Sequence, residues 1–332
     1  MDSHFTICRN TARHTWSTNI KKNFFLVCTI TAITLGHPQP ANAQLFLESN
    51  LTLNPSLRFD QLDWNIAGNT RGTDPNVLSE LKWEKITSLQ LQLSSEVLVN
   101  RVFYLKGFGN YGFIVDGDNQ DSDYLGDNRT LEFSRSNNDA GDGDLNDVGI
   151  AMGMVIVFYD DEVGGTMTFI PQIGYSVHQQ NLRAKDGYQT IPPDGPFPGL
   201  NSKYNAQWDG PWIGLDLRFQ ATWSSAIHFR YEYHMADYYA DADWNLRDNL
   251  AHPKSFEHIA EGTGHHLAVG WRNELKNDWL VGFELLWQRW STDDGTDRTF
   301  ASDGTTYETR LNEVNWTSTS LTFIVGKFFP LY

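Results

Sequence analysis

The feature of this sequence that most constrains its fold is the alternation of apolar and polar residues over long stretches. In 227–235, for example, Ile, Phe, Tyr, Tyr and Met alternate with His, Arg, Glu and His. A period of two is the signature of β-strands with two different faces. Comparable stretches recur along the chain and predict ten strands. These strands are predicted near 51–66, 77–97, 102–117, 147–158, 165–179, 211–223, 226–240, 264–275, 279–291 and 314–332.

The segments between the predicted strands alternate between short and long. The long ones are rich in Asp, Asn, Gly and Pro, and they are 118–146, 180–210, 241–263 and 292–313. This alternation is typical of outer-membrane barrels, which have tight periplasmic turns and long extracellular loops. A soluble β-sandwich is the alternative, because its strands also alternate and the sequence does not show which face is inside. The length of the strands favours a ten-stranded antiparallel transmembrane β-barrel.

Composition narrows the class of protein further. The net charge of −16 argues against a nucleic-acid partner, since a protein that binds nucleic acid needs a basic surface. The mean hydropathy of −0.44 argues against a helical membrane protein. A barrel of about ten strands has a narrow lumen that side chains fill, so a general diffusion porin is not expected.

Residues 1–43 are predicted to be a secretory signal peptide. A pair of lysines precedes a short apolar run, and residues 41–43 (Ala-Asn-Ala) have the small-x-small form of a signal-peptidase site. Cleavage there would leave 44–332 as the outer-membrane barrel domain. It would also remove Cys8 and Cys28, the two cysteines of the sequence, so the mature protein would form neither a disulfide nor a thiolate metal site.

Aromatic residues near the strand ends are predicted to form an interfacial girdle whose rings meet lipid headgroups. The girdle would include Tyr233, Tyr238, Tyr239, Trp244, Trp287, Trp290 and Trp316. Outer-membrane lipid and lipopolysaccharide are therefore expected partners. The final strand closes on the aromatic Tyr332. This ending looks like the assembly signal of bacterial outer-membrane proteins, which makes the barrel-assembly machinery a further expected partner.

Several motifs carry a resemblance to known outer-membrane proteins. Gln61-Leu62-Asp63-Trp64 and Asp121-Ser122-Asp123-Tyr124 resemble stretches of the omptins, the ten-stranded outer-membrane proteases. A larger set of motifs resembles the Protochlamydia outer membrane protein family. That set comprises 63–68 (DWNIAG), 116–119 (DGDN), 133–138 (FSRSNN), 197–200 (FPGL), 210–212 (GPW), 243–246 (DWNL) and 311–316 (LNEVNW). This second resemblance implies an omptin-like barrel at the surface of a Gram-negative bacterium and leaves the biochemical role undefined.

The omptin resemblance implies a candidate catalytic site. Omptins use a pair of Asp residues on one side of a cleft and an Asp-x-His pair on the other. Asp121 and Asp123 match the first pair, and Asp241 and Asp243 fall on the second, so Asp243 stands where omptins have the catalytic His. A carboxyl with a pKa of about 4 does not replace an imidazole as a base near neutral pH.

Because the imidazole is missing, the expected function is that of a non-proteolytic surface barrel. Its long acidic loops would contact an extracellular ligand that the sequence does not identify. Two alternatives stay open. One is an omptin-like endopeptidase with a changed catalytic pair, in which His252 or His258 folds back as the base. The other is a narrow channel for small solutes.

No cofactor is expected, and no metal site is assigned. The acidic stretches 116–123 and 139–147 are dense in oxygen ligands and keep calcium binding open as a hypothesis, although neither matches the EF-hand register. The adjacent His265 and His266 are expected to point to opposite faces of a strand, which is poor geometry for binding one metal together.

Overall fold

The structure, a computed structural model, describes residues 47–160, 165–222 and 224–331. The predicted signal peptide lies outside these residues. The described residues contain no helix that is long and apolar enough to cross a membrane. They form single 3-10 turns at Asp127–Arg129 and Lys276–Asp278 and thirteen strands. The strands are β1 (Leu47–Ile66), β2 (Ser79–Val99), β3 (Phe103–Gly126), β4 (Thr130–Asp139), β5 (Gly143–Met154), β6 (Ile156–Asp160), β7 (Gly165–Ile191), β8 (Gly195–Thr222), β9 (Ser225–Asp243), β10 (Phe256–Glu274), β11 (Trp279–Thr292), β12 (Gly295–Phe300) and β13 (Thr306–Leu331).

The strands form one antiparallel sheet that closes into a barrel. β1 pairs with β13, from Leu47 opposite Leu331 to Ile66 opposite Leu311. β4, β5 and β6 together make a single crossing between β3 and β7. β11 and β12 likewise share one crossing between β10 and β13. The result is ten crossings, so the predicted ten-stranded antiparallel barrel is confirmed.

The two ends of the barrel have different connections. At one end the described connections are tight, such as 100–102 between β2 and β3 and 275–278 between β10 and β11. At the other end, 67–78 joins β1 to β2 and 244–255 joins β9 to β10. Tight turns mark the periplasmic end of such a barrel, so the second end is extracellular.

The long extracellular loops that the sequence predicted are largely β-strand. β3 continues to Gly126, and β7 continues to Ile191 while β8 begins at Gly195, which leaves only 192–194 between them. The prediction was wrong because it took a polar composition as a sign of loop. A strand outside the membrane faces water and needs no lipid-facing apolar residues, so its polar side chains do not mark its end. The extracellular part of the protein is therefore built from long hairpins.

In the membrane-spanning part, apolar side chains point outward and polar side chains point into the lumen. On β2, Leu89, Leu91 and Leu93 are 45%, 49% and 52% exposed, whereas Gln90 between them is 8% exposed. Lipid covers an apolar outer face of this kind, and the polar groups find partners inside. This arrangement decides in favour of the barrel, since a soluble sandwich would have its polar face outside.

Above the membrane-spanning part, the two faces exchange roles. β2 has a bulge between Glu84 and Thr87, where Lys85 adopts a left-handed conformation with φ of 55°. Beyond the bulge, Leu81 and Trp83 point into the barrel, and each is only 1% exposed. A bulge adds one residue to a strand and so turns the side chains that follow to the other face. The extracellular hairpins therefore enclose an apolar core, as a soluble protein does.

An aromatic layer fills the lumen where these two parts meet. It consists of Trp208, Tyr238, Trp290 and Trp316. Adjacent rings in the layer have centroids 4.4 to 5.6 Å apart. The girdle prediction was thus wrong for Tyr238, Trp290 and Trp316, which are at most 1% exposed, whereas Trp287 and Tyr239 do face outward. Trp287 and Trp290 lie three residues apart on β11, and an odd spacing on a strand puts two side chains on opposite faces.

Charged side chains inside the barrel are paired with one another. Glu96 accepts hydrogen bonds from Arg218 at 3.1 Å and from Arg272 at 3.0 Å. Arg58, which is 1% exposed, donates to Asp147 at 2.9 Å. An unpaired charge at such a position would be strongly destabilising, because neither water nor an opposite charge would compensate for its lost hydration. The lumen is therefore a packed polar network, as the sequence predicted for a narrow barrel.

We predict that Leu91→Lys destabilises the barrel by about 2–4 kcal/mol, because it places a charge on the lipid face near the middle of the membrane. Leu125→Lys is the matched control, since Leu125 is 65% exposed near the extracellular end of β3. That change should alter stability by less than about 0.5 kcal/mol. Urea unfolding in phospholipid vesicles, followed by tryptophan fluorescence, measures both values. Equal effects of the two substitutions would contradict the assigned membrane boundary.

Candidate functional site

Asp121 and Asp123 lie together on the lumen side of the extracellular part of β3. Asp121 pairs in register with Leu81 of β2, whose side chain is in the core, and Asp123 pairs with Ser79. Asp123 forms side-chain hydrogen bonds with Ser79 and Ser134. The two carboxyl groups therefore lie at the extracellular end of the apolar core.

The Asp121 carboxyl is partly buried and has an unusual affinity for a proton. Burial raises its pKa to about 7, and the neighbouring charge of Asp123 adds to the rise. Two residues of the β9–β10 connection oppose this effect. The indole of Trp244 donates a hydrogen bond to the Asp121 carboxylate, and the positive charge of Arg247 lies close to both Asp side chains. This connection thus covers the acid pair with an indole and a guanidinium.

Trp244 is held in place by the core beneath it. Its ring packs edge-on against Phe256, with 4.8 Å between the ring centroids. Its backbone N–H donates to the Ser255 hydroxyl at 2.9 Å. Because both contacts fix the indole, the hydrogen bond to Asp121 belongs to the packing of the β9–β10 hairpin.

Asp241 and Asp243 lie on the other face of β9, away from the lumen. The positions that face the lumen there are Ala240 and Ala242, which are both 0% exposed and part of the core. Asp241 accepts a hydrogen bond from Asn205 at 3.3 Å on the neighbouring strand β8. The structure therefore does not bring the four candidate Asp residues together around one cleft. The gap-free match to the omptin pattern falls on Asp241 and Asp243, which are each one residue away from a lumen-facing position. A shift of one residue on a strand reverses the direction of a side chain.

The two histidines proposed as alternative bases have different surroundings. His252 does fold back onto the end of β9, where its Nδ1 lies 2.7 Å from Oδ1 of Asp243 at the exposed rim. His258 is 0% exposed and lies in the core. Its Nδ1 is 2.9 Å from the Tyr204 hydroxyl, and its Nε2 is 3.2 Å from Asp297. His252 is thus the histidine that forms an imidazole–carboxylate pair at the rim, and His258 is a core residue.

The acidic stretches 116–123 and 139–147 are parts of β3, β4 and β5 and do not wrap around a common centre. Several of their carboxylates already have partners. Asp118 accepts a hydrogen bond from Lys85 at 2.8 Å, and Asp144 accepts one from Asn181 at 2.7 Å. Asp147 is bound to Arg58. Extended strands with paired carboxylates do not provide the looped ligand geometry of an EF-hand.

A group of histidines that the sequence reading did not connect lies inside the barrel. His178, His234 and His266 come from β7, β9 and β10, and all three are buried. His265, in contrast, points outward and lies 2.9 Å from the Tyr231 hydroxyl, so the adjacent pair does diverge as expected. The alternation along each strand predicts that all three side chains point into the barrel. It does not predict their height along the barrel axis, which depends on how the strands are paired.

The comparison with protein families matches the fold that this geometry describes. A family model described as Protochlamydia outer membrane protein matches residues 52–329. The chain belongs to the Protochlamydia outer membrane protein family. The membership confirms the resemblance that the motifs carry, and it places the barrel in a bacterial outer membrane.

Solved structures similar to this chain include an outer-membrane protein. The outer membrane protease OmpT from Escherichia coli has a TM-score of 0.67 and 12% sequence identity, and the match covers 86% of this chain and 97% of that chain. At this identity the likeness shows the fold alone. A FadL homologue from Pseudomonas aeruginosa has a TM-score of 0.25 and 9% identity, over 85% of this chain and 90% of that chain, and carries no argument. A search of curated proteins finds no match.

We predict that Asp123→Asn lowers the pKa of the Asp121 carboxyl, because it removes the neighbouring charge. Trp244→Phe should raise that pKa further, because it removes the indole donor that stabilises the carboxylate. Carboxyl-carbon NMR titration of the wild-type barrel and both variants measures the shifts. Opposite shifts in the two variants are expected, and a titration near the ordinary Asp value in the wild type would contradict the buried location.

The raised pKa of Asp121 also predicts how the stability of the protein depends on pH. The folded pKa of about 7 lies above the ordinary Asp value of 3.8, so ionisation of Asp121 disfavours the folded state. The free energy of unfolding should therefore fall as the pH rises through this window, and Asp121→Asn should remove that part of the decrease. Unfolding curves at a series of pH values test this. A fall of the same size in Asp121→Asn would assign it to another group.

Proposed function

We propose that this protein is a non-proteolytic outer-membrane barrel that serves as a rigid scaffold for its extracellular hairpins. The observation that carries the proposal is the end of β9, where Ala240 and Ala242 are fully buried in the core and Asp241 and Asp243 point away from the lumen. An Ala side chain has no group that takes up a proton or orients a water molecule. Peptide hydrolysis of the omptin kind needs such groups on both sides of a cleft.

The surroundings of the acid pair support the same proposal. Trp244 donates to Asp121, and Arg247 adds a positive charge beside both carboxylates. These contacts connect β3 to the β9–β10 connection at the extracellular end. In this proposal the acid pair connects the two hairpins through its contacts with Trp244 and Arg247.

The filled lumen favours the function of a scaffold and argues against that of a small-solute channel. The aromatic layer of Trp208, Tyr238, Trp290 and Trp316 spans the interior above the polar network. Trp290 and Trp316 are stacked at 5.4 Å, and Trp208 lies 5.6 Å from Trp290. Rings packed this closely would obstruct an aqueous path at this level. In this proposal the barrel is a stiff tube that holds the hairpins at a fixed position above the membrane.

The proposal includes a route to the membrane and partners there. Residues 1–43 would direct export as a signal peptide. β13, which closes the barrel against β1, would present the C-terminal strand to the barrel-assembly machinery. Outer-membrane lipid and lipopolysaccharide would cover the apolar outer face formed by residues such as Leu91 and Phe283. The hairpin tips would remain free to contact an extracellular ligand.

One observation favours a second candidate function, an endopeptidase with a changed catalytic pair. His252 and Asp243 form an imidazole–carboxylate pair at 2.7 Å on the extracellular rim, and His252 is partly exposed. A carboxylate that orients an imidazole is a common arrangement for a general base. The pair lies on the outer side of β9, whereas Asp121 lies on the lumen side, so the two halves would have to act from opposite faces of the strand.

We predict that the folded wild-type barrel, supplemented with lipopolysaccharide, cleaves no member of a broad fluorogenic peptide library above the rate in buffer. Asp121→Ala and His252→Gln should leave this background unchanged, because neither residue activates water for attack on a peptide. Asp248→Ala is the matched control, since Asp248 is an exposed acid in the same connection as His252.

Cleavage by the wild type that both Asp121→Ala and His252→Gln abolish, but Asp248→Ala does not, would contradict the proposal and establish the second candidate. Cleavage that survives all three substitutions would indicate a contaminating protease. In that case, wild-type protein prepared from a protease-deficient strain should show no cleavage.

A further inference from the structure

Three histidine side chains meet inside the barrel below the aromatic layer. His178, His234 and His266 are 3%, 2% and 6% exposed, and they come from β7, β9 and β10. One ring nitrogen of each lies within 4.8 Å of a ring nitrogen of each of the others. The rings of His234 and His266 are closest, with centroids 4.1 Å apart. Three convergent imidazoles are the ligand set that divalent transition metals prefer in proteins.

Each imidazole has one ring nitrogen that faces a carboxylate. Nδ1 of His178 lies 2.9 Å from Asp147. Glu232 serves the other two, with Nε2 of His234 at 3.3 Å and Nδ1 of His266 at 3.2 Å. In known metal sites, a ligating histidine usually donates its second ring N–H to a carboxylate, which fixes the tautomer and orients the ring. This second set of contacts is already complete here.

The remaining ring nitrogens make no contact with these carboxylates. Nε2 of His178 and Nδ1 of His234 lie 3.1 and 3.3 Å from the same hydroxyl, that of Ser176. Nε2 of His266 is buried and has no hydrogen-bond partner among the described residues. Buried polar atoms without a partner are rare in folded proteins and call for an explanation such as an absent ion or water.

We propose that these three histidines bind a divalent first-row transition metal ion, with Zn²⁺ as the principal candidate. The ligand atoms would be Nε2 of His178, Nδ1 of His234 and Nε2 of His266, and the Ser176 hydroxyl or a water molecule would complete the set. Nitrogen ligands in a tetrahedral site lie about 3.3 Å apart, so small side-chain rotations would bring the present spacing to that value. This site is independent of the proposed function and uses none of the residues tested for it.

The local charges are compatible with a bound dication. Asp147 is paired with Arg58 at 2.9 Å, and Glu232 is paired with Arg230 at 3.2 Å. Each carboxylate thus already balances one arginine, and the three imidazoles are free to bind the metal as neutral ligands. The carboxylates act by orienting the rings.

A cavity adjoins the cluster on its periplasmic side. A cavity lined by Asn110, Asp147, His178, Arg230, Glu232 and His266 lies on that side of the cluster. On the extracellular side, the ring of Trp290 covers all three histidines at centroid distances of 4.8 to 5.2 Å. In this proposal the ion enters from the periplasmic side, and the ring of Trp290 shields it from the cell exterior. Once bound, it would connect β7, β9 and β10 across the lumen.

The experiment uses the whole barrel, purified in detergent without an oligohistidine tag and stripped with a chelator. Zinc is titrated into the protein in competition with a chromophoric chelator. The wild type should bind one Zn²⁺ per barrel. His178→Gln/His266→Gln should weaken binding by at least about 100-fold. His265→Gln is the matched control, because it changes the neighbouring outward-facing histidine and should bind as the wild type does.

The folded state of each variant is checked by the shift of its electrophoretic mobility on heating. If the wild type shows no saturable zinc binding, or the folded double variant binds as tightly as the wild type, the proposal is overturned. If the double variant does not fold, the Cu²⁺ electron paramagnetic resonance spectrum of the wild type decides. Hyperfine splitting from several nitrogen ligands supports the site, and a spectrum with oxygen ligands alone overturns it.

Discussion

Lipid offers no hydrogen bonds, and the rest of this structure depends on that constraint. Every backbone N–H and C=O group within the membrane has to be paired inside the protein, and a sheet meets this requirement when it closes on itself. The pairing of β1 with β13 provides the closure. Once the sheet is closed, the outer face has to be apolar and the polar residues of each strand have to point inward. The buried pairs of Glu96 with Arg218 and of Arg58 with Asp147 follow from that arrangement.

The same strands continue beyond the membrane, where the constraint is reversed. Water now covers the outer face, so apolar residues stabilise the protein when they point inward. The bulge at Lys85 lets β2 change from one pattern to the other without interrupting the sheet. Gln90 faces the lumen on one side of the bulge, and Trp83 does so on the other. The aromatic layer lies where the two kinds of interior meet.

The sequence predicted the structure well where lipid surrounds the strands and poorly where water does. Period-two alternation predicted the ten crossings, because lipid imposes it strictly on strands such as β2. It failed above the membrane, where β3 and β7 run on through segments that were expected to be loops. Trp287 was correctly placed on the outside and Trp290 was not, since the girdle prediction used composition without strand parity. The histidine group was missed because His178, His234 and His266 come together only through the relative levels of three strands.

The candidate site shows why a motif alone was insufficient. Asp121 and Asp123 do lie on the lumen side. Asp241 and Asp243 occupy the sequence positions that the omptin pattern predicts, but their side chains point away from the lumen. Direction along a strand depends on every bulge that precedes a residue, and bulges leave little trace in a sequence. The direction of the side chains at the end of β9 therefore decides whether the acid pair has a catalytic partner.

Cysteine scanning of this strand end tests the direction of these side chains. Cys8 and Cys28 precede the barrel and can be replaced by serine, so that single cysteines at positions 240 to 243 report without background. We expect a bulky, membrane-impermeant maleimide to modify Asp241→Cys and Asp243→Cys on intact cells and to leave Ala240→Cys and Ala242→Cys unmodified until the protein is unfolded. Rapid modification of Ala240→Cys and Ala242→Cys, with protection of the other two positions, would show that Asp241 and Asp243 face the lumen instead.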